Sequence, residues 1–403
     1  MKTTFKYILA LLVMMLAIPG SMAKDLTAEK ASKSGELKFA NVSTDKGLYI
    51  HYNFGDIELI AWDKKDILLK YTEEVQAPTA EKAKQALAKR VIHNTENEKG
   101  YVLEMSGGSY GSVPCWYGQS KGQHLQDGAK KENDISFKSR WIIYLPAKMA
   151  ETTVQNSFGN IDVKDGYQGD LTVQLQFGDI NMGKRDKQAG NHIEIQHGAF
   201  NITDCNKLKL STKFTSGTIN NAGTLEMLCL HGQNIKMGTV QELNLRTQHS
   251  GLQIEKVDSI KVTAAHSNVN ITSSAKSVAL EMQHSGITIE SLEHSLTAAQ
   301  VAHSSIETTI GRKNTAPQFS IARAGFSSVT VSIPNSLAVC CDLQSKFGMT
   351  EINLPSSVRK TVIKQEEKDF NSTNTFYLNT NKHLPSSYIK INSTHGVTKI
   401  KGY

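Results

Sequence analysis

Five histidines recur at nearly constant spacing: His231, His249, His266, His284 and His303. Imidazole is a common metal ligand and the side chain that changes charge near neutral pH. If the five share one slot of a repeating β fold, neighbours stand about 4.8 Å apart and two adjacent rings can share an ion. A closed site wants four ligands, usually with Cys, Asp or Glu among them. The inward neighbours here are Leu, Met, Thr and Ala. Phenylalanine fills the same slot at Phe158, Phe177, Phe214, Phe326 and Phe347, and His197 fills it once more. A slot that accepts either residue asks for a flat ring, so stacking is the expectation, with neither metal nor cofactor implied. Placed inward at a corner, the imidazoles are expected to resist protonation through burial and mutual repulsion. Stability should then fall on acidification.

Each ring opens a short phrase of small turn and two alternating apolar residues. It reads Phe158-Gly159-Asn160-Ile161-Asp162-Val163, then Phe177-Gly178-Asp179-Ile180-Asn181-Met182, then His197-Gly198-Ala199-Phe200-Asn201-Ile202. The gaps between rings run 19, 20, 17, 17, 18, 17, 18, 19, 23 and 21 residues. A fixed short period is the mark of a solenoid, in which each repeat is one coil stacked on the last. Within a coil the period is two: Val278, Leu280, Met282 and His284 alternate with polar or small residues, and Ile287 and Ile289 resume beyond Ser285-Gly286. That is a strand with one buried face. The expected fold is all-β, a right-handed parallel β-helix or β-solenoid of short 17–23-residue coils.

Residues 1–23 have the pattern of an export signal. Lys2 and Lys6 precede an apolar run from Tyr7 to Ile18, and Ser21-Met22-Ala23 offers a small-x-small cleavage site. The run is too short to span a bilayer comfortably, so a periplasmic, outer-membrane-surface or secreted chain is expected, with no transmembrane span after cleavage near Ala23. Residues 24–150 are expected to form an N-terminal cap over an open strand edge. That cap holds an early copy of the phrase at Phe54 to Leu59, a helix opening at Pro78-Thr79-Ala80-Glu81, and a Gly-, Ser- and Lys-rich loop from Ser106 to Asp134. Residues 151–355 carry the coils, and residues 356–403 a polar stretch and a terminal coil that closes the other end.

Without Lys2 and Lys6 the 45 basic residues become 43 against 38 acids, a net charge of +5. The basic residues are scattered, with no stripe interleaved with aromatics, so nucleic acid is not an expected partner. Cys115, Cys205, Cys229, Cys340 and Cys341 show no disulfide-framework spacing. Cys229 and Cys341 fall on inward positions, and the vicinal pair points to opposite faces.

A β-helix lyase or hydrolase needs acids, Arg or Lys clustered on one outer face. The outward slot between the two Ile-type positions reads Asp162, Asn181, Asn201, Asn220, Lys236, Gln253, Asn270, Thr288, Glu307, Thr330 and Glu351. Its acids are isolated, and no carboxylate dyad, triad, phosphate loop or His-Glu-x-x-His pattern is present. A face lined with Asn, Gln and Thr suits hydrogen bonding to extended polymers.

Phe54-Gly55-Asp56-Ile57-Glu58-Leu59, Trp62-Asp63, the insertion near Glu81, Leu145-Pro146 and the copies at Phe158 and Phe177 together resemble the bacterial, Bacteroidetes-type putative-adhesin family of β-solenoid domains of unknown function. The resemblance spans most of the chain and implies an exported, adhesin-like protein; it supplies no catalytic residue. The leading expectation is a non-catalytic adhesin-like solenoid that binds a surface or polymeric ligand such as extracellular matrix, a glycan or an envelope protein. The alternatives are a periplasmic envelope-stress scaffold and a carbohydrate-active β-helix enzyme.

Overall fold

The computed structural model describes residues 28–106, 135–186 and 188–403. The leader, Cys115 and all of the expected loop but its first residue lie outside the described residues. Among the described residues the fold is all-β with one short helix, Ala80–Lys89. Thr79 caps that helix, its hydroxyl accepting the Lys82 N–H at 3.2 Å, as a first-turn Ser or Thr commonly does.

Through the middle of the chain, segments pair in parallel with their counterparts one period on. Leu243 aligns with Ile260, Ile260 with Val278, and Val278 with Leu296. Each segment has a longer strand before its ring and a shorter strand after it. Val257, Ile260 and Val262 bury on the first, as do Ile254 and Ile271 on the second. One continuous apolar core therefore fills the space between the two strand stacks, from Leu48 to Ile400. Burying alternate β-branched and Leu side chains along every rung is what holds such a quasi-one-dimensional stack together.

The ends depart from the purely parallel expectation, and the sheet as a whole is mixed. At the N-terminal end, Ile67–Ala77 runs antiparallel to Ser136–Pro146, and Glu29–Phe39 runs antiparallel to Ile67–Ala77. Val91–Glu96 likewise lies antiparallel to Gly100–Ser106. At the other end, Lys360–Lys368 and Asn371–Leu378 form a hairpin whose second strand runs antiparallel to Val339–Lys346. A capping strand that ends a parallel stack needs no long crossover, so tight antiparallel returns are the shorter connection.

Chain order and spatial order also separate near the C-terminus. Tyr388–Thr394 pairs in parallel with both Gln318–Gly325 and Val339–Lys346. Val397–Gly402 does the same between Ser328–Ile333 and Met349–Asn353. The last segment of the chain thus fills a gap left open by the segment before it. Phe326 and Phe347 are therefore not neighbours, contrary to the order in which they occur in the sequence.

Candidate functional site: an outer ring column between two polar grooves

The rings form one stacked column. From Phe54 it passes through Phe158, Phe177, His197, Phe214 and His231. It continues through His249, His266, His284, His303 and Phe326. His395 then stands between Phe326 and Phe347, and Phe370 ends the column. Adjacent centroids from His231 to His303 are 4.8–5.0 Å apart, with interplanar angles of 1–9°. His395 and Phe370 were missing from the sequence-read series: Phe370 lies in the polar stretch with no alternating apolar pair after it, and His395 follows Phe347 by 48 residues.

The column lies outside the corner, which corrects the inward placement. His197, His231, His249, His266, His284 and His303 are exposed, and Phe326 retains 59% of its accessible surface. The backbone explains why alternation failed. From His197 onward the ring residues stand at φ of 48–66°, in the left-handed region. Such a residue interrupts the period of two. Thr247 points in, Gln248 and His249 both point out, and Ser250 points in again. Desolvation therefore gives no reason for acid sensitivity here.

The same geometry accounts for histidine in the slot. Among non-glycine residues, Asn, Asp and His enter the left-handed region several times more often than others. A position that needs both a planar ring and positive φ favours His, although Phe214, Phe326 and Phe347 take the same conformation. In the earlier copies the strain sits elsewhere: Gly55, Gly159 and Gly178 carry φ of 124–144°, and the ring before each does not. A Cβ on Gly178 would lie 2.2 Å from the Gly159 carbonyl oxygen, so that corner accepts only glycine.

Two hydrogen-bond ladders lock the corners. In the Phe-Gly copies, Asp56 Oδ1 accepts the Asn160 N–H (2.8 Å), Asn160 Oδ1 the Asp179 N–H (2.9 Å), and Asp179 Oδ1 the Ala199 N–H (2.8 Å). In the histidine copies a buried serine follows the ring. Ser267 Oγ accepts the Ser250 N–H at 3.2 Å and donates to the Ala265 carbonyl at 2.9 Å. Ser285, Ser304 and Ser327 repeat this pattern one rung after another. The His-Ser pairs were visible in the sequence, but nothing in their periodicity announced a buried ladder.

Shallow grooves of mixed polar and apolar lining flank the column, with Leu228 and Leu230 at one end of the first. One, of about 380 Å³, is lined by Arg246, Gln248, Glu281, Gln283 and Gln300. Across the ring edges lies another of about 390 Å³, lined by Lys236, Gln253, Asn268, Asn270 and Thr288. Toward the N-terminal end, His51, Gln155, Gln174 and Glu194 link edge to edge across four strands, at 2.8, 2.8 and 3.4 Å, over a groove of about 400 Å³.

Register corrects the outward series at two places. Thr218, not Asn220, aligns with Lys236, and its hydroxyl donates to Asn201 Oδ1 at 2.8 Å. Lys399 stands between Thr330 and Glu351, and pairs with Glu351 at 2.9 Å. Of the acids, Glu58 and Asp162 are register neighbours, but both are tied to cations. Arg140 reaches Glu58 at 2.7 Å, and Lys164 bridges Glu58 and Asp162. The Arg140 hydrogen bond, ahead of the attraction of Lys164, holds the Glu58 carboxyl below its ordinary range.

A second polar cluster, unforeseen in the sequence, sits inside the N-terminal end. Arg90 Nε donates to Glu73 Oε2 at 2.7 Å, with both side chains 1% exposed. Glu73 Oε1 also accepts from Trp141 Nε1 at 3.1 Å and from the Ser139 hydroxyl. Arg90 lies over the Phe137 ring at 5.0 Å. Burial, with Glu73 nearby, pushes the Tyr52 hydroxyl far up. Cys205, Cys229, Cys340 and Cys341 are free and buried, and burial drives the Cys205 thiol up to about 12. Among the described residues no three His, Cys, Asp or Glu side chains converge on a point that could hold a metal ion. No helix among them is long and apolar enough to cross a membrane.

No family model matches the sequence, and no curated protein matches it. Solved structures do. A "putative cell adhesion protein" from Clostridium sporogenes is 11% identical, with 93% of this chain and 100% of that one covered, at a TM-score of 0.19. A "putative adhesin" from Bacteroides fragilis is 10% identical, covering 92% and 97%, at 0.24. A "putative adhesin" from Parabacteroides distasonis is 13% identical, covering 76% and 98%, at 0.32. The fold above rests on this chain's own register and not on these likenesses.

Proposed function

We propose that the chain is a non-catalytic, exported, adhesin-like β-solenoid, wound right-handed, whose outer faces bind a surface or polymeric ligand. The observation that carries this reading is the pair of grooves of mixed polar and apolar lining that run beside the ring column across successive rungs. Their Gln, Asn and Thr side chains are spaced by the strand separation, which suits repeated hydrogen bonding along an extended polymer. The outward acids favour binding over hydrolysis: Glu58, Asp162 and Glu351 are held by Lys or Arg, and Glu307 stands between Thr288 and Thr330. A screen of the full chain against host-matrix proteins and bacterial glycans at pH 7.5 tests it, alongside fractionation of the producing cell. Binding by a surface-exposed chain that is lost on Gln248→Ala/Gln283→Ala is the expected result. No binder and a purely periplasmic chain would contradict it.

A further inference from the structure

Five imidazoles from His231 to His303 stand in unbroken succession, 4.8–5.0 Å apart and exposed. Their faces are covered by neighbouring rings, so only the nitrogen-bearing edges meet solvent. Among the described residues, no hydrogen bond or ion pair occupies those nitrogens. The flanking residues are uncharged: Leu, Gln or Ala before each ring, and Gln, Gly, Asn or Ser two positions after it. Charged groups stand further out. Arg246 and Glu281 face the column from the strands before the rings, and Lys236 and Glu307 from those after. Lys213 stands over Phe214, at the column's N-terminal side. Arg323, exposed three residues before Phe326, adds one more cation at the far end, so the fixed charge beside the histidines is small and slightly positive, and the part that changes with pH is the imidazoles'.

We propose that this column is an acid-gated binding stripe for a linear anionic polysaccharide. Imidazole is the side chain whose charge changes between pH 5 and 8, so positive charge gathers along the column's edges as pH falls. Like charges at this spacing repel. A chain of carboxylates or sulfates laid along the edges relieves that repulsion, so proton uptake and binding reinforce each other. The flanking Gln248, Gln283, Asn268 and Asn270 supply donors and acceptors for sugar hydroxyls. Single-stranded nucleic acid is disfavoured, because its bases need open aromatic faces to stack on and these faces are occupied. The inference rests on the reading that the outer surface engages polymers, and adds the ligand's charge and its gating.

The test is binding of the full chain to immobilised heparin and polygalacturonate at pH 7.5 and 5.5, at fixed ionic strength. Dextran and oligo-dT serve as separate arms. The anionic glycans should bind about tenfold tighter at pH 5.5, as a few screened charge pairs allow. The variant H249F/H266F/H284F should lose that gain and still fold, since Phe occupies the same slot and stack at Phe214 and Phe326. A gain that survives in this variant, or no gain in the parent chain, overturns the proposal. An equal gain for oligo-dT overturns the polysaccharide assignment. Binding of neutral glycans by the parent chain at pH 7.5 reports separately on the broader reading, because it needs no charge on the column.

Discussion

His249 and His266 stack with ring centroids 4.9 Å apart and planes 9° from parallel, though seventeen residues separate them in the chain. The parallel register of Ile235–Gln248 on Gly251–Ala265 brings them together. Left-handed backbone at both residues, φ of 52° and 50°, turns the rings outward. Each inner ring of the column therefore has two neighbours, and from His197 onward each carries a backbone conformation that a non-glycine residue adopts at a cost.

Replacing His266 separates these contributions. His266→Ala removes two stacking contacts and should lower stability by about 1–3 kcal/mol, taking 0.5–1.5 kcal/mol per ring pair. His266→Phe keeps the stack and should fall within about 0.5 kcal/mol of the parent. Urea denaturation of the two variants measures the difference.

The serine ladder predicts a larger response than its small side chains suggest. Ser267→Ala leaves the buried Ser250 N–H without its acceptor, a loss of about 1–3 kcal/mol. Ser267→Gly should not rescue it, because the missing group is the oxygen. Hydrogen exchange of the Ser250 amide, faster in both variants, locates the effect.

Arg90 and Glu73 are buried together, so removing one partner strands the other. Arg90→Met should destabilise the N-terminal end by about 3–5 kcal/mol. Adding Glu73→Leu to Arg90→Met should recover much of that loss. A double-mutant cycle in urea checks the coupling.

Glu58 makes the fold sensitive to acid with a defined sign. Its carboxyl is held below the ordinary value of 4.5 in the folded chain, chiefly by the Arg140 hydrogen bond. Its contribution is thus present above that value and is lost as pH falls through the folded one. Arg140→Met should flatten the decline in melting temperature below pH 4.5 relative to the parent. An unchanged slope would remove Glu58 as its source.

Period-two alternation was enough to read strand existence, the ring slot and the apolar core, because Val257, Ile260 and Val262 repeat their pattern in rung after rung. It placed the rings on the wrong side. Alternation assumes extended backbone, and one left-handed residue per corner shifts the phase by one. The insertion of Tyr388–Thr394 between two earlier strands was also illegible, since a chain that skips a rung and returns leaves only a lapse in rhythm. Nothing in the sequence marked Arg90 and Glu73, because pairing across seventeen residues and two elements leaves no local signal.

Chemical modification of the native chain with diethyl pyrocarbonate, mapped by peptide mass spectrometry, tests the outward column most directly. His231, His249, His266, His284 and His303 should all react in the folded protein, at rates close to those in urea. Protection of these five until unfolding would place the rings inside the corner and contradict the account.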